Sequence, residues 1–272
     1  MTACPQCGRH WEQEPNYCPG CGYDTSRSIA AYGGTSDKPG SPKKEGITWG
    51  GGQVVAGIIL VILTLFTAAA AAAGIGSLYP EQEDAVATWY SVHLMALGIV
   101  LTVWFLGVRH TRFPLAVLGL SGIHVPRART VLLMVGVLAT SLIATSIYAG
   151  IVAALGLDVL SPPDVESDII FDGAAVLLTF QALAFITPLT EEIFFRGFIL
   201  GGLLKRLGPW RAIAASALIF SAFHFSLGVL VPIFITGFLF GWLYWKTGSL
   251  WAAIGAHAGQ NSLALAVQAL QS

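Results

Sequence analysis

From Gln53 to Gly76 the chain carries no charged residue, and positions 68–73 are all alanine. A run of that length satisfies its backbone in lipid only as a helix, and at 1.5 Å per residue it crosses a hydrocarbon layer of ~30 Å. Further apolar runs follow at about 86–108, 130–155, 173–189, 191–207, 210–227, 229–245 and 249–270. The expected fold is therefore all-α, a polytopic transmembrane bundle of about seven to eight hydrophobic helices over 53–272. Composition agrees: 55% of residues are hydrophobic and 11% charged, against about 25% charged in a soluble domain. The formal net charge is −1 and no basic stripe with interleaved aromatics occurs, which sets nucleic-acid binding aside.

The N-terminal region differs in kind. All four cysteines fall in the first 21 residues, as CPQC (Cys4, Cys7) and CPGC (Cys18, Cys21), each pair followed by glycine. Paired Cys-x2-Cys turns suit one tetrahedral ion, so residues 1–23 read as a small zinc ribbon with a structural zinc. His10 and His110 are alternative ligands that the four thiolates make unneeded. Paired disulfides are the alternative, disfavoured by the strain of adjacent Cys-x2-Cys bridges. Residues 24–52, including YGGTSDKPGSPKKEGITWGGG, have the composition of a flexible linker. Residues 1–46 hold no apolar core of signal-peptide length, so the run from Gln53 is expected as a retained anchor.

Loop charges set an orientation. Residues 77–85 and 157–172 carry acids and no Lys or Arg, whereas the tail and the 109–129 loop carry Arg9, Arg27, Lys38, Lys43, Lys44, Arg109, Arg112, Arg127 and Arg129. Basic segments stay in the cytoplasm. The ribbon is then cytoplasmic, where thiols stay reduced, and the chain is expected as a multi-pass protein of a prokaryotic plasma membrane. Lys205, Arg206 and Arg211 break the alternation if 191–207 is a separate full crossing. An interrupted or bent helix around Pro188, which lacks a backbone donor, restores it.

Every Asp or Glu lies in the tail or the acidic loops except Glu191 and Glu192, within TEEIFFRG. Carboxylates in an apolar span are costly unless paired, and they commonly line a pathway. Glu192 and Arg196 are four apart, so on a helix they share a face and can pair; Glu191 points about 100° away. Carboxylates marking a helix start are the plainer alternative. Two other runs add polar groups: FSAFHFS places Phe220 four before His224, and GAHAGQNS places His257 four before Asn261. Gly255 and Gly259 flank His257 in a pattern that lets another helix approach. His93 has no such companion and reads as structural or interfacial, and Gln181 as a polar helix contact; Thr187 and Thr190 are expected to cap the break. Trp104, Trp210, Trp242, Trp245 and Trp251 fit an aromatic belt.

A glutamate beside a histidine can take a proton from water and aim the nucleophile at a carbonyl, while a second histidine and an amide hold the oxyanion. EEIFFR, FSAFH and HAGQN resemble, in order, the Glu-Glu-x3-Arg, Phe-x3-His and His-x3-Asn motifs of the CAAX-protease and bacteriocin-processing family of intramembrane endopeptidases, related to the type II CAAX prenyl endopeptidases. The resemblance covers about 130–270. It implies that Glu191 and His224 activate water, that His257 and Asn261 form the oxyanion site, and that Glu192, Arg196 and Phe220 support them. It implies membrane lipid and a protein or lipidated peptide as partners. One Glu and two His could instead ligate a catalytic zinc; the metal-free reading is favoured because Asn261 pairs with His257 as a donor. Two other classes stay open. One is a proton-coupled transporter, disfavoured by the lack of internal repeats; the other is a membrane adaptor whose ribbon recruits a cytoplasmic partner.

Overall fold

A computed structural model describes residues 2–3, 10–11, 47–121, 126–162 and 167–269. Cys4, Cys7, Cys18 and Cys21, and with them the expected zinc ribbon, lie outside the described residues, as does residues 24–46 of the expected linker. Strand β1 (Thr2–Ala3) pairs antiparallel with β2 (His10–Trp11), Thr2 opposite Trp11. All other regular structure among the described residues is helical: α1 (Gly51–Gly76), α2 (Glu83–Val108), α3 (Pro114–Val117), α4 (Arg127–Leu155), α5 (Gly173–Leu207), α6 (Pro209–Ala222), α7 (Leu227–Thr247) and α8 (Leu250–Ala269). Two short 3-10 turns, Asp158–Leu160 and Ser167–Ile169, lie between α4 and α5.

Helices α1, α2, α4, α5 and α7 are long and apolar enough to cross a membrane. Their outward residues confirm the solvent they were built for. Val55, Ile59, Leu63 and Phe66 on α1, and Leu132, Val135, Ile143 and Ile147 on α4, are exposed, whereas Glu192 and Arg196 are fully buried. A water-soluble protein would reverse that arrangement.

Helices α1 and α2 form an antiparallel pair, α6 and α7 a second, and α4 packs on α7 and α8. Helix α5 is the axis, touched by α2, α6, α7 and α8, and its Phe194, Phe198, Ile199 and Leu200 are buried in the core. The face of α8 around Gly255 is as closely packed as its small residues suggest: a Cβ there would collide with Met134 of α4, and one at Gly259 would lie 3.5 Å from Leu138.

Two expectations change. The helix is not interrupted at Pro188. Residues 173–207 form one continuous 35-residue helix, which takes up the proline by widening: Phe180–Ile186 and Ile193–Leu200 are π-helical. Proline clashes with the carbonyl four residues back, and a wider turn displaces that carbonyl. The chain reverses after Leu207 instead, at Gly208 (φ 70°), with Pro209 opening α6. The other change is at the end of the expected linker. Ile47 and Trp49 are buried, Lys205 Nζ donates to Ile47 O at 2.9 Å, and Trp49 Nε1 donates to Phe198 O at 2.8 Å. Apolar side chains outweigh the glycines around them, and the packed domain begins by Ile47.

Candidate active site

The site is built on α5 midway along its length. Glu191 lies about 27 Å from the Gly173 end at 1.5 Å per residue. Adjacent residues on a helix diverge by about 100°, so the two glutamates meet different surroundings. Glu192 turns inward and is fully buried; its Oε1 accepts from Arg196 Nη1 at 2.8 Å, one helical turn on. Arg196 Nη2 also donates to Gly237 O of α7 at 3.1 Å. The guanidinium carbon stands 4.3 Å from the Phe220 ring centroid and 5.7 Å from that of Phe240. This cation is thus held by a carboxylate, a carbonyl and aromatic faces, the combination that offsets burial of a guanidinium. Gly237 makes the approach possible: a Cβ there would come within 2.9 Å of Phe220 and 3.3 Å of Arg196.

His257 of α8 joins the same carboxylate. Its Nδ1 lies 2.9 Å from Glu192 Oε1, and its Nε2 lies 3.7 Å from Glu191 Oε2. The first distance is a hydrogen bond with Nδ1–H as donor; the second is too long for one. Phe240 and Phe220 wall the imidazole, at 5.1 and 5.8 Å between ring centroids. Glu192 Oε2 and Arg196 Nε have no hydrogen-bond partner among the described residues.

Glu191 faces elsewhere. It lines a cavity of about 210 Å³ together with His224. Val61 and Leu65 of α1, Ser91, Val92, Met95 and Ile99 of α2, Thr187 and Thr190 supply further wall. His224 sits in the turn between α6 and α7, where Phe225 takes φ 49°. Its Nδ1 is 3.0 Å from Phe220 O and its ring stands edge-on to Phe220 at 5.0 Å. With Nδ1–H donated to that carbonyl, Nε2 keeps its lone pair.

Of the residues singled out in the sequence, Glu191, Glu192, Arg196, Phe220 and His257 are drawn into one connected group, and His224 shares the Glu191 cavity. Asn261 is placed otherwise. Its Nδ2 donates to Leu183 O of α5 at 2.9 Å, and neither it nor His257 is among the cavity's lining residues. Among the described residues no three of His, Cys, Asp and Glu stand close enough to hold one metal ion. His93 and Gln181 make an interhelical contact: His93 Nε2 is 3.0 Å from Gln181 Nε2, and Trp89 Nε1 donates to Gln181 Oε1 at 3.1 Å, tying α2 to α5. Thr190 Oγ1 donates back to Ile186 O at 2.9 Å, within the helix and not as a cap. Sequence spacing gave no sign of Ser91 or of the α1 and α2 side chains in the cavity, because nothing local relates them to the motifs.

Residues 173–263, which contain all of these α5, α6 and α8 residues, match the family described as "Type II CAAX prenyl endopeptidase Rce1-like". Over 94 residues the chain is 33% identical to the Bacillus subtilis (strain 168) protein named "Putative membrane peptidase YdiL". That alignment covers 35% of this chain and 38% of the relative, so the chain spans well under half of the curated relative it matches. No solved structure matches.

Proposed function

We propose that this chain is a membrane-embedded endopeptidase that hydrolyses a peptide bond with water activated by Glu191. The observation that carries the reading is the pairing of Glu191 with His224 on one cavity at mid-depth in an apolar bundle. The matched segment and the relative's name support the coarser reading of a membrane peptidase.

In this reading a water sits between Glu191 and the lone pair of His224 Nε2. Glu191 takes one water proton as the oxygen bonds to the carbonyl carbon. His257, with Nδ1–H on Glu192 and Nε2 3.7 Å from Glu191 Oε2, stands on the side of the acid from which the tetrahedral oxyanion is met. The C–N bond then breaks and the proton on Glu191 passes to the leaving nitrogen. Glu192 and Arg196 never touch substrate; they fix the tilt of His257. All of this uses side chains and water alone, and no step passes through a metal. The substrate is a protein or peptide whose scissile bond reaches the cavity from the membrane boundary; the cavity's apolar wall suits a lipidated peptide.

The test is reconstitution of the full chain in liposomes with a fluorogenic, C-terminally lipidated peptide. Cleavage by wild type and its loss in Glu191→Ala support the reading. Equal cleavage by both would end it.

A further inference from the structure

The first π-helical stretch of α5 ends where one backbone carbonyl lacks its usual donor, and that carbonyl meets an expected catalytic side chain. Within Phe180–Ile186 the hydrogen bonds run five residues apart, and the Thr187 N–H reaches Ala182 O. In that register the donor for Leu183 O is the N–H of residue 188. Residue 188 is proline and has none. The Asn261 amide fills the gap, Nδ2 to Leu183 O at 2.9 Å. A carbonyl left unpaired in an apolar interior is costly, so the bond is a strong tether between α8 and α5.

We infer that Asn261 is a positioning residue for Glu191: it supplies the hydrogen bond that Pro188 withholds and thereby fixes the rotation of α5 where the two glutamates diverge. Leu183 lies eight residues before Glu191, about two turns along one rigid helix. Asn261 lies one turn beyond His257 on α8. The bond therefore acts beside the His257–Glu192 contact in holding the helix that carries both acids against the helix that carries the imidazole. Loss of the tether lets α5 rotate toward ordinary α-helical pitch. Each residue of pitch change turns the following side chains by tens of degrees. Glu191 then leaves the cavity and Glu192 leaves His257. This assignment differs from an oxyanion role, in which the Asn261 amide would face substrate and the identity of residue 188 would be irrelevant.

That difference yields a compensation test. In Pro188→Ala the restored N–H can serve Leu183 O, so the amide of Asn261 becomes dispensable. Four full-length proteins in liposomes are compared: wild type, Asn261→Leu, Pro188→Ala and the double variant. The kinetic arm rests on the proteolytic reading proposed above. Asn261→Leu is expected to lower kcat at least ten-fold with KM within two-fold, Pro188→Ala to stay within three-fold of wild type, and the double variant to recover most of the lost kcat. A double variant no more active than Asn261→Leu alone would overturn the inference and return Asn261 to the reacting oxygen. The second arm needs no activity. Thermal unfolding of the same proteins in detergent is expected to show a lower Tm for Asn261→Leu that Pro188→Ala restores. Additive losses in the two variants would overturn the inference even if the wild type cleaves no peptide, an outcome that separately ends the proteolytic reading. If Asn261→Leu does not fold, Asn261→Asp, which keeps the shape and removes the donor, takes its place in both arms.

Discussion

Glu191 and Glu192 are the same residue type one position apart, and the helix gives them separate tasks. Glu192 is enclosed with Arg196 and His257, while Glu191 keeps 23% of its side chain exposed and faces the cavity. Their substitutions are expected to separate accordingly. Glu191→Gln removes a base without emptying a packed space. Its kcat should fall by about 100-fold or more, with Tm unchanged or raised, read from peptide cleavage and thermal unfolding of one preparation. Arg196→Met leaves the buried Glu192 carboxylate with His257 Nδ1–H as its remaining donor, a loss of up to about 3–5 kcal/mol for a broken buried pair. The double variant Glu192→Gln with Arg196→Met removes the buried charge and should regain much of that stability, as seen in a double-mutant cycle of denaturation midpoints. Gly237→Val belongs with this group: its side chain would press on Phe220 and Arg196, and a drop in both Tm and kcat is the expected outcome.

At the scale of the element, α5 is held by side chains that complete its widened turns. Ser216 Oγ of α6 donates to Phe195 O at 2.7 Å, Trp49 Nε1 donates to Phe198 O at 2.8 Å, and Asn261 serves Leu183 O. Each donor comes from a different segment. Ser216→Ala and Trp49→Phe should each cost about 1 kcal/mol, the net worth of one intramolecular hydrogen bond. Trp49→Phe keeps an aromatic ring against Phe198, so its loss would report the hydrogen bond more than the packing. These contacts also mark what the sequence can tell. The Glu192–Arg196 pair and the Phe220–His224 contact span four residues, and helical geometry alone brings each together. The long apolar runs announced the spans for the same local reason. The place of His257 at Glu192, 65 residues away, depends on how α8 packs on α5. The resemblance of the motifs pointed to such a meeting, but spacing could not supply it. Pro188 invited a break because its missing donor is a local fact. The widening that absorbed it depends on distant donors, and so does the burial of Trp49 in a glycine-rich stretch.

For the whole molecule, the continuity of α5 reorganises the charge pattern along the membrane normal. At 35 residues the helix is about 52 Å long, more than the hydrocarbon layer of ~30 Å, so a single crossing with tilt or overhang accommodates it. One crossing carries the chain from the acidic 157–172 segment to Lys205 and Arg206, and removes the conflict that two separate spans at 173–189 and 191–207 would create. Helix α6 then runs inward from Pro209 for 14 residues, about 21 Å, turns at His224, and α7 returns to Lys246. Trp210 and Trp245 confirm that α6 and α7 share this end, with rings 5.3 Å apart. The basic ends of α4, α5, α6 and α7 thus gather on one side, and the acidic turns at Glu81–Asp84 and Asp168–Asp172 on the other. With α6 only about 21 Å long, the His224 turn is expected to end short of the acidic side. The rule that basic segments stay inside predicts the Lys205 end on the cytoplasmic side. In a variant with the four N-terminal cysteines replaced by serine, single cysteines at Arg112 and Arg206 should resist an impermeant maleimide added to intact cells, and those at Glu81 and Asp168 should label. A cysteine at Ser226, beside the His224 turn, should react slowly from the acidic side if the cavity opens there. Rapid labelling of Arg206 from outside would mean that α5 does not cross once, and the mid-depth placement of Glu191 would fall with it.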